Sequence, residues 1–233
     1  MFVLMAATLD PATDTVPTLG WMSAQLTQRR GLNDSITRFW SFAAPAYNQP
    51  CLQRLVYRPG QDEVVRALRS QGSQRIADIA CGTGILTDRV ERELRPDEVY
   101  GVDMSDGMLA QARRRSDRVR WMKGPAEKLP FADGFLDAVV TTSAFHFFDQ
   151  PAALREFHRV LAPGGLVAVT TIGPRLPLQR LSADLRNPAH IPSPGEMHTL
   201  FTDAGLTVAD QHRVARPLWT QLLSDLITVG VKS

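Results

Sequence analysis

A chain of 233 residues that is 44% hydrophobic and 21% charged has enough apolar material for one sizeable core. Its net charge of +2 is too small to make nucleic acid an obligatory partner, and two cysteines cannot build a disulfide scaffold. No stretch approaches the ~20 apolar residues of a membrane span, and the opening MFVLMAA lacks the basic segment of a secretory leader. A cytoplasmic protein with reduced thiols is the expectation.

In chain order, residues 1–20 are rich in Thr, Pro and Asp and read as a flexible N-terminus. Residues 21–73 read as a helical cap, with helices over 21–30, 34–42, 49–57 and 61–70 interrupted at Pro45, Pro50 and Pro59-Gly60. From 74 to 233 the pattern predicts strands at 75–80, 98–103, 118–123, 136–142, 165–172, 206–213 and 225–232. Helices are expected at 84–94, 105–115, 151–161 and 194–204. The runs Leu136–Val140 and Gly165–Val169 suit strands buried on both faces. Such alternation gives an α/β doubly wound, mostly parallel sheet of seven strands. The last two strands, separated by Pro217 with no crossover helix, are expected to be antiparallel.

The segment DIACGTG, Asp78 to Gly84, falls where a strand gives way to a helix. Gly82 and Gly84 allow a tight turn and a close approach of ligand to backbone. The following helix directs unpaired N–H groups and its positive dipole end at that turn. Nineteen residues past Gly84, Asp103 ends the next predicted strand, where a carboxylate can accept from both ribose hydroxyls of an adenosine. A dinucleotide turn would want a third glycine, and Thr87 stands there instead. A cofactor without a pyrophosphate, such as S-adenosylmethionine, remains compatible.

Four blocks carry a resemblance to a known family: DIACGTGILT (78–87), GVDMSDGMLAQAR (101–113), GPAEKLPFADGFLDAVVTTSAFHFF (124–148) and LREFHRVLAPGGLVAV (154–169). In order and spacing they resemble the class I S-adenosylmethionine-dependent methyltransferases, in particular the small-molecule branch of ubiquinone and menaquinone biosynthesis. The resemblance implies a Rossmann-like core over 74–233 with S-adenosyl-L-methionine as cofactor. It implies that Asp78, Ala80, Gly82 and Gly84 face the methionine portion, Asp103 holds the ribose, and Met104 packs on the adenine. Ala126 and Glu127 would line the adenine edge, and Thr142 and Ser143 would end the fourth strand beside the sulfonium. Tyr47 would reach toward the cofactor from the N-terminal helices, although Asn48 departs from the acidic residue common after it. Pro125 stands where many relatives carry an acidic residue able to accept from the adenine amino group. One lost hydrogen bond of about 0.5–1.5 kcal/mol should weaken adenine discrimination without abolishing binding.

Methyl transfer to an oxygen or acidic carbon needs a base, and His146, just beyond the fourth predicted strand, is the candidate. A substrate-orienting or packing role beside Phe145, Phe147 and Phe148 is the alternative. His158, His190, His198 and His212 read as surface residues, and no histidine pair has the spacing of a metal site. The basic run Arg113–Arg115 with Arg118 and Arg120 reads as a solvated helix end. Two segments could cover the acceptor: the N-terminal helices, through Trp40, Phe42, Tyr47, Leu52 and Tyr57, and an insertion at 173–195, through Leu176, Leu178 and Leu181. The expected acceptor is a small, fairly apolar molecule, methylated at oxygen in preference to carbon or nitrogen. A non-catalytic cofactor-binding module and a nicotinamide-dependent oxidoreductase are the alternatives.

Overall fold

The computed structural model describes residue 49 and residues 53–174, 190–216 and 223–233. The helices expected at 21–30 and 34–42, Tyr47, Cys51 and the covering side chains other than Tyr57 lie outside these described residues.

A π-helical turn, Gln53–Tyr57, runs directly into α1, Arg58–Gln71. The break expected at Pro59-Gly60 therefore does not occur. Pro59 lies in the first turn of α1, where no intrahelical N–H is needed and its fixed φ suits the helix. Gly60 faces β5 closely: a Cβ there would stand 3.3 Å from Thr170 Oγ1.

The core then alternates as expected: β1 (Arg75–Ile79), α2 (Ile85–Leu94), β2 (Glu98–Asp103), α3 (Asp106–Arg115), β3 (Arg120–Lys123) and β4 (Leu136–Thr142). A 3₁₀ turn at Phe145–Phe147 leads into α4 (Gln150–Val160), followed by β5 (Leu161–Pro174), α5 (Pro194–Asp203), β6 (Leu206–Arg213) and β7 (Leu223–Lys232). The seven strands lie in the order β3-β2-β1-β4-β5-β7-β6. Neighbours from β3 to β5 are parallel, and β7 runs antiparallel to both β5 and β6.

β5 is longer than the expected 165–172 and begins at Leu161, directly after α4. Its pairing with β4 slips between Leu136 and Ala138. Gly164, at φ +76°, and Gly165, whose Cβ would meet Ala162 O at 2.8 Å, allow the backbone through this irregular start.

Successive strand residues point to opposite faces, so two cores form. Ile76, Ala138, Val140, Ala168 and Ile227 join Val64, Val65 and Leu68 of α1 on one side. Ala77, Val139, Val167 and Val169 join Phe157 of α4 and Phe201 of α5 on the other. The order reverses between β1 and β4, which opens a crevice beyond their C-terminal ends. Near that rim the buried Arg216 pairs with Asp225 of β7 and donates to the carbonyls of Leu55 (2.9 Å) and Val56 (2.5 Å). One guanidinium thus fastens the π-helical turn to the sheet.

Candidate functional site

The turn after β1 is built from left-handed backbone. Ala80, Gly82 and Gly84 have φ of +56°, +58° and +76°. Gly82 and Gly84 adopt this freely, whereas Ala80 is strained there, a condition concentrated at functional sites. Gly84 N–H donates to Cys81 O at 3.0 Å, and Cys81 N–H donates to Val102 O at 3.1 Å, so the turn closes on itself and is tied to β2.

Asp103, at the tip of β2, completes the loop. Its Oδ2 accepts from Gly82 N–H and its Oδ1 from Ser105 N–H, both at 2.8 Å. Ser105 is also the N-cap of α3, its Oγ accepting from Met108 N–H at 3.2 Å. Two backbone donors therefore fix the carboxylate while leaving each oxygen further acceptor capacity.

Asp78 lies beneath, only 2% exposed, and its Oδ2 accepts the Thr87 hydroxyl at 2.6 Å. Burial pushes the Asp78 carboxyl up to about 7; the Thr87 hydrogen bond opposes this and the Asp103 charge adds to it. Burial also raises Asp103, against the backbone N–H groups that favour its charged form. The Cys81 thiol is raised well above its usual value by burial and then by both carboxylates, which keeps it unreactive. The result is a desolvated pair of acids that a cationic ligand would stabilise.

Thr87 occupies the place of the third glycine of a dinucleotide turn, and the close helix–sheet packing that glycine provides is achieved elsewhere. A Cβ on Gly84 would stand 2.4 Å from Cη2 of Trp121, and one on Gly101 2.3 Å from its Cζ3. The indole fills the space that both glycines leave, anchored by Nε1–H donating to Ser116 O at 2.9 Å. Gly84 is thus required for packing as well as for its φ.

Around the rim, Met104 is 37% exposed, the exposed large hydrophobic among the described residues, and Ala126 is buried. Glu127 Oε1 accepts from Asp149 N–H at 2.8 Å and so pins the start of α4, an engagement the sequence did not foretell. Thr142 ends β4, and Ser143, at φ +56°, donates from its N–H to Thr170 O at 2.9 Å. Two non-glycine residues in left-handed backbone, Ala80 and Ser143, therefore follow the adjacent strands β1 and β4.

His146 lies in the 3₁₀ turn, its ring centroid 4.0 Å from that of Phe147. Burial depresses its pKa from 6.5 to about 4, well below the ordinary imidazole value. It is neutral at pH 7, and its Nδ1 is buried without a hydrogen-bond partner. Thr87, Ser105 and Trp121 are the site residues that sequence reasoning missed. Ser105, three residues before Met108 at a helix start, carried a readable N-cap signal.

Residues 77–169 match the family described as a methyltransferase domain. Among curated proteins, a malonyl-[acyl-carrier protein] O-methyltransferase of Dechloromonas aromatica is 31% identical over 72% of this chain and 64% of its own length. A ubiquinone/menaquinone biosynthesis C-methyltransferase of Coxiella burnetii is 34% identical over 49% of each chain. The chain thus spans less than two thirds of either relative. Among solved structures, a chain in the complex of the Haloferax volcanii Trm112 methyltransferase activator with a methyltransferase superposes with a TM-score of 0.70. It is 22% identical, over 82% of this chain and 96% of that one, a likeness of fold. Among the described residues, no helix is long and apolar enough to cross a membrane, and no three His, Cys, Asp or Glu residues gather as a metal site.

Proposed function

With residues 77–169 of this chain forming a methyltransferase domain of the class I, S-adenosylmethionine-dependent type, we propose that the protein methylates a small, fairly apolar acceptor at oxygen. The observation that carries the reading is the union of the turn with Asp103: Gly82 N–H donates to a carboxylate at the tip of β2, above the buried Asp78. A nucleoside bearing positive charge suits this acid pair, whose carboxylates are held above their ordinary pKa values by burial. A pyrophosphate would meet repulsion in the same place.

S-adenosylmethionine, when bound, supplies a methyl group already activated on a sulfonium. The protein's own share is alignment, exclusion of water and acceptance of a proton. Asp103 binds the ribose hydroxyls, Met104 offers an apolar surface to the base, and Asp78, Ala80 and Gly82 receive the amino-acid end. Ala126 and Glu127 border the adenine, while Thr142 and Ser143 border the reacting methyl; Tyr47 belongs to the same site as a proposed contact. His146 takes the proton of an acceptor hydroxyl. With Nδ1 enclosed, Nε2 is the nitrogen that meets it. Its low basicity makes it a hydrogen-bond acceptor that orients the hydroxyl and removes the proton only as the new C–O bond forms.

Two measurements test this. Calorimetry with S-adenosylhomocysteine should give saturable binding that Asp103→Asn weakens; tight binding of a pyridine dinucleotide and none of the nucleoside would overturn it. Turnover with methyl-labelled cofactor against fractionated small-molecule extracts should then yield a labelled ether or ester. Label on carbon or nitrogen would refute oxygen as the target.

A further inference from the structure

The carbonyl of Leu55 stands four residues before Pro59. In a continuous α-helical ladder it would accept from the N–H of residue 59, and proline carries none. A donor comes instead from 161 residues away: Nη1 of Arg216 reaches Leu55 O at 2.9 Å. Nη2 of the same guanidinium reaches the next carbonyl, Val56 O, at 2.5 Å. Nη2 also pairs with Asp225, and the two side chains are only 2% and 5% exposed. The π-helical turn, a form frequent at functional sites, is thus completed by a distant side chain.

Stability alone is a poor reason to bury this pair. A buried ion pair can often be replaced by apolar side chains of similar volume without loss, because desolvation offsets the attraction. Burial does raise the Asp225 carboxyl, with Arg216 opposing the shift. What a planar fork supplies is direction, since it holds two carbonyls and a carboxylate in fixed relation. Asp225 is itself set against the start of α1: a Cβ on Gly60 would lie 3.6 Å from its Oδ2 and 3.3 Å from Thr170 Oγ1. The π-helical turn is thereby placed relative to β5 and β7.

So placed, the turn stands beside the cofactor loop. Gln53 and Arg54 share a cavity of about 320 Å³ with Ile85 and Asp88 in the first turn of α2. Ile85 directly follows Gly84, and Arg115, which also lines the cavity, donates to Thr83 O at 2.9 Å. The cavity therefore abuts residues 83–85, where the glycine turn meets its helix. α1 has its own tie to α2, between Asp62 and Arg89 at 2.6 Å, and the turn preceding α1 is tied down by Arg216.

We propose that Arg216 is a positioning residue for the cofactor site. Standing in for the N–H that Pro59 lacks, it holds the π-helical turn as a wall beside residues 83–85 and so hinders escape of the methionine portion of S-adenosylmethionine. The inference rests on the reading that the glycine turn receives that portion.

The test is S-adenosylhomocysteine binding to the whole chain, by calorimetry and stopped-flow dissociation, alongside thermal melting. Arg216→Met/Asp225→Leu removes the donors without leaving a buried carboxylate unpaired. Its affinity should fall about fivefold or more through faster dissociation, at a melting temperature within about 3 °C of wild type. Pro59→Ala returns a backbone donor to Leu55 and should recover about half of the loss in that background. Arg216→Lys keeps a charge for Asp225 but has no fork to span both carbonyls, so its affinity should fall about twofold to threefold. It carries the test, with and without Pro59→Ala, if the double variant does not fold. Unchanged affinity in the Arg216 variants, with wild type binding normally, would overturn this proposal alone. So would a lower melting temperature at unaltered affinity, or a loss of affinity that Pro59→Ala does not relieve. Absence of binding to the wild type would overturn the cofactor reading, and this proposal with it.

Discussion

The hydroxyl of Thr87 donates to Oδ2 of Asp78 across 2.6 Å, and neither side chain is more than 2% exposed. This bond joins the first turn of α2 to the strand before it, directly under the glycine turn. It is also the principal interaction that favours the ionised form of Asp78 against burial.

Thr87→Val keeps the shape and removes the donor. The buried carboxylate then loses a charge-assisted bond, and the fold should lose about 1–3 kcal/mol. S-adenosylhomocysteine should bind about tenfold more weakly because Asp78 is protonated more often. Thr87→Ser should restore most of both, as read by thermal melting and calorimetry.

The raised pKa of Asp78 gives ligand-free stability an unusual pH dependence. The folded state holds this proton up to about pH 7, whereas the unfolded carboxyl releases it near 3.8. Between those values the folded state binds more protons, so this group's contribution to stability falls as pH rises and levels off above 7. Asp78→Asn should remove that slope and be more stable than the wild type at pH 8, by up to about 4 kcal/mol for three pKa units. Melting curves from pH 4 to 8 check it. Cofactor affinity should move the other way and rise from pH 6 to 8, because a cation needs the ionised form.

Asp103→Asn retains one acceptor oxygen for Gly82 or Ser105 and loses the other, along with the charge. S-adenosylhomocysteine affinity should fall about ten- to a hundredfold, in line with the 1.5–3 kcal/mol of hydrogen bonds to a charged group. Unchanged affinity would remove Asp103 from the site.

His146→Ala should lower kcat by about a hundredfold and leave the cofactor's Kd within twofold. Because burial holds this imidazole near 4, it adds no titration between pH 6 and 9. A wild-type rate profile that falls with a pKa of 6.5, and flattens in the variant, would contradict the assignment.

Gly84→Ala puts a methyl group against Trp121 in left-handed backbone, and should cost about 2–4 kcal/mol. Adding Trp121→Ala should recover part of that loss, so the double variant is less destabilised than the two single effects summed.

The sheet was legible because its strands are short apolar runs between strong breakers, and Leu136–Thr142 and Glu98–Asp103 needed no tertiary information. Pro59 misled because the same ring that interrupts a helix also suits its first turn; only the preceding π-helical turn shows which applies. The start of β5 was hidden by Pro163-Gly164-Gly165, a sequence that reads as a loop and here pairs irregularly with β4. Within the site, Gly82 and Asp103 announced themselves by spacing, and the structure joins them through one hydrogen bond. Thr87 stayed invisible as a participant because sequence marks it only as the wrong residue for a dinucleotide. The environment of His146 could not be read either, since its burial depends on how the turn after β4 folds back.

Trp121 lends the turn a rigidity that has a kinetic side. An indole wedged into the hollows of Gly84 and Gly101 holds the loop in shape before any nucleoside arrives, so association should proceed by simple docking at a rate proportional to ligand concentration. The same ring stands close enough to the loop to act as a native fluorophore, and a stopped-flow trace of its emission would time that encounter without a label.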